Sequence, residues 1–165
     1  MVSNLLALNR DWKIRELCDL EPREMRVLLN IGSYMPINSA DIAYQSRIDS
    51  YNVSRAVKAL DRKRLLDIRR DPKSKNIKIL ALNEQGKVLY EKLTLAMELR
   101  SEELENVLTD EEITAFYNVL GKVEDKIEQL LAKQALSKIA QGEDAPADQK
   151  ELIRWYKKGQ NDIDI

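Results

Sequence analysis

The sequence predicts a mostly α-helical fold interrupted by one short β-hairpin. Three observations carry this. The 165 residues hold only five Gly and four Pro, few for a chain rich in strands and turns. Apolar residues recur at helical steps of three and four over most of the length. One stretch, 65–82, breaks that period into two short aliphatic runs around a cluster of turn residues.

The elements follow in order. Leu5, Leu6, Leu8, Trp12, Ile14 and Leu17 predict one or two short helical turns over 4–18. Glu21-Pro22 opens the next helix, with Pro at its first position, where a missing N–H costs nothing. Met25, Leu28, Leu29 and Gly32 continue it, and Met35-Pro36 closes it. Ser39 is read as the N-cap of a short helix to about Gln45, with Ile42 and Ala43 inward. Asp49 or Ser50 caps a helix to about Lys63, whose inward face is Val53, Ala56, Val57 and Leu60. Residues 65–70 and 77–82 form an antiparallel hairpin closed by Asp71-Pro72-Lys73-Ser74-Lys75-Asn76. Asn83 caps a long helix to about Leu108. Thr109-Asp110-Glu111-Glu112 has the form of a capping box for another. In that last helix Ile113, Phe116, Leu120, Val123, Ile127 and Leu130 repeat as a heptad seam. Two successive long helices with strong apolar stripes exceed what a small core can cover, so the seam is read as a subunit interface. Gln141 to Pro146 breaks the pattern, and a short final helix over 147–158 carries Trp155, read as docked on the protein.

Composition narrows the class. Apolar residues at 44% and charged residues at 33% are too apolar for a disordered chain and too charged for a membrane protein. No run approaches the roughly 18–20 apolar residues of a membrane helix. The start, MVSNLLALNRDWK, lacks the plan of a secretory signal, so a cytoplasmic location is expected. One cysteine, Cys18, excludes an internal disulfide and a Cys-rich zinc site. The absence of His removes the commonest general base and metal ligand. No catalytic residue, metal or cofactor is expected, and the chain is read as a non-enzyme.

The formal charge of -1 hides an asymmetry: residues 39–80 carry +6 and the remainder -7. A basic block inside an acidic chain is the footprint of a polyanion site, or else a solvated face paired with acids elsewhere. The order helix, short helix, helix, hairpin is that of a winged helix-turn-helix. Its third helix fits the major groove of duplex DNA, where each base pair shows a distinct donor and acceptor pattern. An apolar face must anchor that helix while the opposite face presents polar and basic groups. Tyr51, Asn52, Ser54 and Arg55 meet the second need near the helix start; Lys58 and Arg62 lie further along, placed for phosphates. Ser39, Arg70, Lys73 and Lys75 complete the candidate contacts, the last three on a wing that can reach the minor groove or the backbone.

The stretches LEPREMRVLL (Leu20–Leu29), SADIAYQSRI (Ser39–Ile48), DSYNVSRAVKAL (Asp49–Leu60) and LNEQG (Leu82–Gly86) resemble the multiple-antibiotic-resistance regulator (MarR) type of bacterial transcription factor. Arg55 and Leu60 fall on strongly patterned positions of that family, and RRDPKSKN resembles its Arg-x-Asp-Pro wing. The likeness spans about residues 15–134. Three departures stand out. Arg64 replaces the usual Gly after the third helix. Ser74, Lys75 and Asn76 stand where an Asp and Arg pair usually braces the wing, and lysine cannot reproduce the fork of arginine. The N-terminal helix looks short, and the tail after Lys133 is additional. The resemblance implies a homodimer with interlocked terminal helices, bound to a pseudo-palindromic operator in double-stranded DNA. Many such proteins repress transcription until a small ligand or oxidant relieves it.

The expected organisation is an N-terminal dimerisation helix over 1–20, with Leu5 and Leu8 at the interface, and a DNA-binding winged helix-turn-helix over 21–82. Long dimerisation helices over 83–140 and a C-terminal extension over 141–165 follow. A small apolar or aromatic effector is a candidate partner, with Trp12, Met25 and Tyr34 as equally good pocket or core residues. Cys18, beside Asp19 and near Glu16 and Glu21, is read as a small hydrophobe rather than a redox sensor. The acids over 98–112 are read as a solvated face and a capping turn. The alternative reading is a winged-helix adaptor that binds a protein and not DNA.

Overall fold

The structure is a computed structural model that describes residues 11–163, with side chains described to residue 159. Leu5 and Leu8, the N-terminal members of the expected dimer face, lie outside the described residues. The chain divides into two compact units, Met1–Leu104 and Glu105–Ile165.

In the first unit, α1 (Trp12–Leu17) is capped by Asp11, whose carboxylate accepts from the Ile14 amide at 3.3 Å. Only Ile14 of this helix is buried; Trp12, expected inward, is exposed and donates its indole N–H to Glu16 at 2.6 Å. Helix α2 (Pro22–Tyr34) begins with Pro22, as expected, and Glu24 reaches back to the Glu21 amide at 3.3 Å. Met25, Val27, Leu28 and Ile31 form its buried face. The chain then forms a two-residue strand, β1 (Ile37–Asn38), absent from the sequence reading because two residues carry no period. Helix α3 (Ser39–Ser46) follows. Its cap is Asn38, not Ser39: the Asn38 side-chain oxygen accepts from the amides of Ala40 and Asp41, and Ser39 is the first helical residue. Helix α4 (Ser50–Arg62) is capped by Asp49. The hairpin strands are β2 (Leu66–Arg70) and β3 (Lys78–Leu82), and the sheet order is β1-β3-β2, all antiparallel. Leu80, paired with Ile37 on one side and Ile68 on the other, is fully buried at the sheet centre.

Helix α5 (Glu84–Glu105) leaves the sheet after Asn83, whose side chain accepts from the Gly86 amide at 2.9 Å. It ends three residues before the expected Leu108. Two close approaches pin this unit. A Cβ on Gly86 would stand 2.2 Å from the Leu65 carbonyl oxygen, and one on Gly32 would stand 2.2 Å from the Tyr90 ring. The first obstacle is backbone and cannot rotate away. Arg64, between α4 and β2, adopts φ +57°, the left-handed conformation that Gly would enter without strain. Its carbonyl is held by the Asn83 side-chain amide at 2.8 Å.

In the second unit, α6 (Asp110–Ala140) starts at the expected capping box: Thr109 Oγ1 accepts from the Glu112 amide, and Glu112 accepts from the Thr109 amide. At 31 residues it is about 46 Å long. The chain turns at Gly142 (φ +87°) into α7 (Ala147–Ile163), longer than the expected 147–158, and α7 packs on α6. Ala132, Ala135, Ile153 and Trp155 of this pair, and Ala145 of the connection, are buried. The expected seam is solvent-facing in the single chain: Phe116, Leu120, Val123, Ile127 and Leu130 are each about half exposed, and Ile113 is intermediate.

Two stability outcomes follow from the first unit. Gly86→Ala should destabilise by about 1–3 kcal/mol, since the Leu65 backbone must move; urea denaturation measures it, and an unchanged midpoint would contradict the packing described. Arg64→Gly should stabilise by about 0.5–1 kcal/mol by removing left-handed strain, less the entropy Gly restores to the unfolded chain; thermal unfolding reads the sign.

Candidate nucleic-acid interface

Helix α4 is amphipathic in the sense the sequence requires. Val53, Ala56, Val57, Ala59 and Leu60 are buried, while Tyr51, Arg55, Lys58 and Arg62 are exposed. Burying each aliphatic side chain of the size of Val or Leu contributes roughly 1.5–3 kcal/mol, enough together to hold the helix against α2 and α3. Asn52 and Ser54 are half-buried. Ser39 is half-buried at the start of α3. On the hairpin Arg70, Lys73 and Lys75 are exposed.

The start of α4 is built by a short polar chain. Asp49 accepts from the Asn52 amide at 2.9 Å and from the Asn52 side-chain nitrogen at 2.5 Å. These two bonds, aided by the nearby positive charge of Arg23, hold the Asp49 carboxyl below the usual aspartate range. The remaining Asn52 atom, Oδ1, accepts from Arg23 Nη1 at 2.9 Å. Asn52 thus does not stand free on the surface; it joins the first turn of α4 to the first turn of α2. One turn on, the Arg55 guanidinium lies over the Tyr51 ring, 5.7 Å from its centroid. That contact orients both exposed side chains.

The wing tip is also locally specified. Asp71 Oδ1 accepts from the amides of Lys73 (2.7 Å) and Ser74 (3.3 Å), and the Asp71 amide donates to the Ile77 carbonyl at 2.9 Å. An Asx turn of this kind braces a loop from its own first residue. The tip therefore has a brace although the Asp and Arg pair implied by the family resemblance is absent.

The ion pairs bear on the two readings of the basic block. Among the described residues, Arg55, Lys58, Arg62, Arg69, Arg70, Lys73 and Lys75 make no salt bridge. Some cations elsewhere are paired, Lys87 with Glu84, Arg100 with Asp11, Lys138 with Glu143 and Lys150 with Asp144, while Arg26, Lys92 and Lys122, like those of the basic block, make no salt bridge among the described residues. Lys63, in the same run as Arg62, is turned inward to Glu24 at 3.4 Å and to the Asp19 carbonyl. So α4 and the wing present positive charge that internal acids do not neutralise.

Arg23, Asp71 and Arg64 are the residues that sequence reasoning passed over. No spacing rule connects position 23 to position 52. Asp71 was visible only as turn chemistry, and Arg64 only as a departure from a pattern. Cys18 is intermediate in exposure, and burial pushes its thiol above the ordinary range, which opposes reactivity at neutral pH. Of the suggested effector-lining residues, Met25 is buried whereas Trp12 and Tyr34 are more than half exposed.

Asp49→Ala should cost about 1 kcal/mol at pH 7, the usual worth of an N-cap. Because the folded-state pKa of Asp49 is depressed, its contribution is full above the unfolded value of about 3.9 and disappears as pH falls through the folded value. The stability gap between wild type and variant, followed by denaturant unfolding, should therefore close in acid; a constant gap would contradict the cap.

The sequence model of the MarR family matches residues 19–75. An HTH-type transcriptional regulator of Bacillus cereus is 28% identical over 106 residues, 64% of this chain and 70% of that protein. The fold is similar to that of the transcriptional regulator SlyA, with TM-score 0.70, 20% identity, and coverage of 77% of this chain and 89% of that one. It is also similar to Staphylococcus aureus MepR, solved as a DNA complex, with TM-score 0.69, 22% identity, and coverage of 76% and 93%. PcaV of Streptomyces coelicolor, solved with its natural ligand, gives TM-score 0.63 at 17% identity, covering 75% and 89%. Sequence match, fold and the order of elements agree: residues 19–75 match the MarR family, and the chain has a winged helix-turn-helix fold similar to that of SlyA and MepR.

Proposed function

We propose that the chain acts as a homodimer that binds a pseudo-palindromic operator in duplex DNA and represses transcription. The observation that carries this reading is the unneutralised positive charge of α4 and the wing, set on a helix whose other face is locked into the core. An internal salt-bridge network would have argued for a merely solvated face. Phosphates would pair with Lys58, Arg62, Arg70, Lys73 and Lys75, releasing counterions, so affinity should fall steeply with salt. Tyr51, Asn52, Ser54 and Arg55, near the start of α4, are the groups placed to read base edges, with Ser39 of α3 nearby in the module. That MepR was solved with DNA supports the same use of the fold.

The half-exposed stripe Phe116, Leu120, Val123, Ile127 and Leu130, continued by Ile113, supports dimerisation. An apolar seam of this length is costly in water and is covered when a second copy packs against it. Leu5 and Leu8 remain proposed members of that interface. A small apolar or aromatic effector that relieves binding fits the reading, on the precedent of PcaV with its natural ligand. Among the described residues no helix is long and apolar enough to cross a membrane, and a cytoplasmic site of action is part of the proposal.

Selection of bound duplexes from a random pool is the decisive experiment. Two half-sites should emerge with centres about one helical turn apart. Arg55→Ala should weaken binding to the selected duplex by roughly 1–3 kcal/mol, read by fluorescence anisotropy. Unchanged affinity would remove Arg55 from the interface. Failure to retain any duplex at low salt would favour a protein-binding adaptor in its place.

A further inference from the structure

We infer that Asn52 reads an adenine and that Arg23, on a different helix, is the positioning residue that makes this reading specific; the inference rests on the DNA-binding reading above. A side-chain amide has two donors and two acceptor lone pairs. In this structure one N–H of Asn52 is spent on Asp49 (2.5 Å) and one lone pair on Arg23 (2.9 Å). One donor and one acceptor remain on the adjacent N and O atoms of this half-buried group in the first turn of α4. The major-groove edge of adenine offers the complementary pair, the N7 acceptor and the N6 amino donor.

The bracing matters because an unrestrained amide can turn over. Turned one way it suits adenine; turned the other it exchanges donor and acceptor and accommodates other bases singly. Here a half-turn would set the Asn52 N–H groups against the Arg23 guanidinium and its carbonyl oxygen against the Asp49 carboxylate. Both contacts are repulsive, so the charges on either side fix the order of donor and acceptor presented to the groove. Asp49 belongs to the same helix as Asn52 and would brace it in any such helix. Arg23 comes from 29 residues away, at the start of α2, and makes the orientation depend on how the two helices pack.

The test uses the full chain in four forms: wild type, Asn52→Ala, Arg23→Met and Arg23→Lys, with folding checked by circular dichroism. Each selects from a random duplex pool, and binding to the consensus and to its single-base variants is titrated over a range of salt. The expected result is one adenine per half-site in the wild type, favoured by roughly 5- to 150-fold, lost in Asn52→Ala. Arg23→Met should lose most of that adenine preference, keep the preferences at other positions, and lower the salt slope by at most about one phosphate. Arg23→Lys, which can still donate to Oδ1, should recover part of it. The inference is overturned if Asn52→Ala keeps the adenine, if Arg23→Met keeps it, or if Arg23→Met weakens every position alike, which would make Arg23 only a phosphate contact. A wild type that selects bases without any dependence on Asn52 sinks this inference and leaves the regulator standing; a wild type that retains no duplex sinks both.

Discussion

The anchoring of one helix face is the constraint on which the rest of the structure depends. Val53, Ala56, Val57 and Leu60 sink α4 into a core formed with α2 and α3, where Leu28, Ile31 and Ile42 are buried. Once that face is held, rotation of α4 about its own axis is forbidden, and the opposite face carries whatever Tyr51, Arg55, Lys58 and Arg62 do. The polar work is possible only because the apolar work is complete. Ala43, Ala56 and Ala59 are buried in this unit, and Gly86 lets α5 run directly against the Leu65 carbonyl.

Around that anchor the chain separates charge deliberately. Acids neutralise cations where they serve only the fold, as between Arg100 and Asp11 or between Lys63 and Glu24. Both pairs are partly buried. The net positive charge lies on residues 39–80, which include α4 and the wing. The chain is nearly neutral, with +6 on residues 39–80 and -7 on the remainder.

A good part of this was legible in the sequence because it is local. Pro22 at a helix start, the Thr109 capping box and the inward face of α4 each depend on near neighbours and stand in the structure as read, and of the two cap candidates of α4, Asp49 and Ser50, the structure uses Asp49. Cap assignment failed by one residue at α3, where Asn38 and Ser39 are both competent and only backbone geometry chooses between them. The ends of α5 and α7 differ from the sequence reading over 106–108 and 159–163, where the apolar period carries little signal and helix ends fray.

By itself the sequence determined the local periods, the caps, the charge of each segment and thereby the order of elements that leads to a winged helix. Tertiary structure alone decided that Ile37 and Asn38 join the sheet, that Arg64 is driven into a left-handed conformation, and that Arg23 meets Asn52. The physical reason is distance along the chain. A periodic pattern records which side a residue faces, since every neighbour within a turn or two shares the same axis. It holds no record of which remote side chain arrives on that side, because that is settled only when separately formed helices pack.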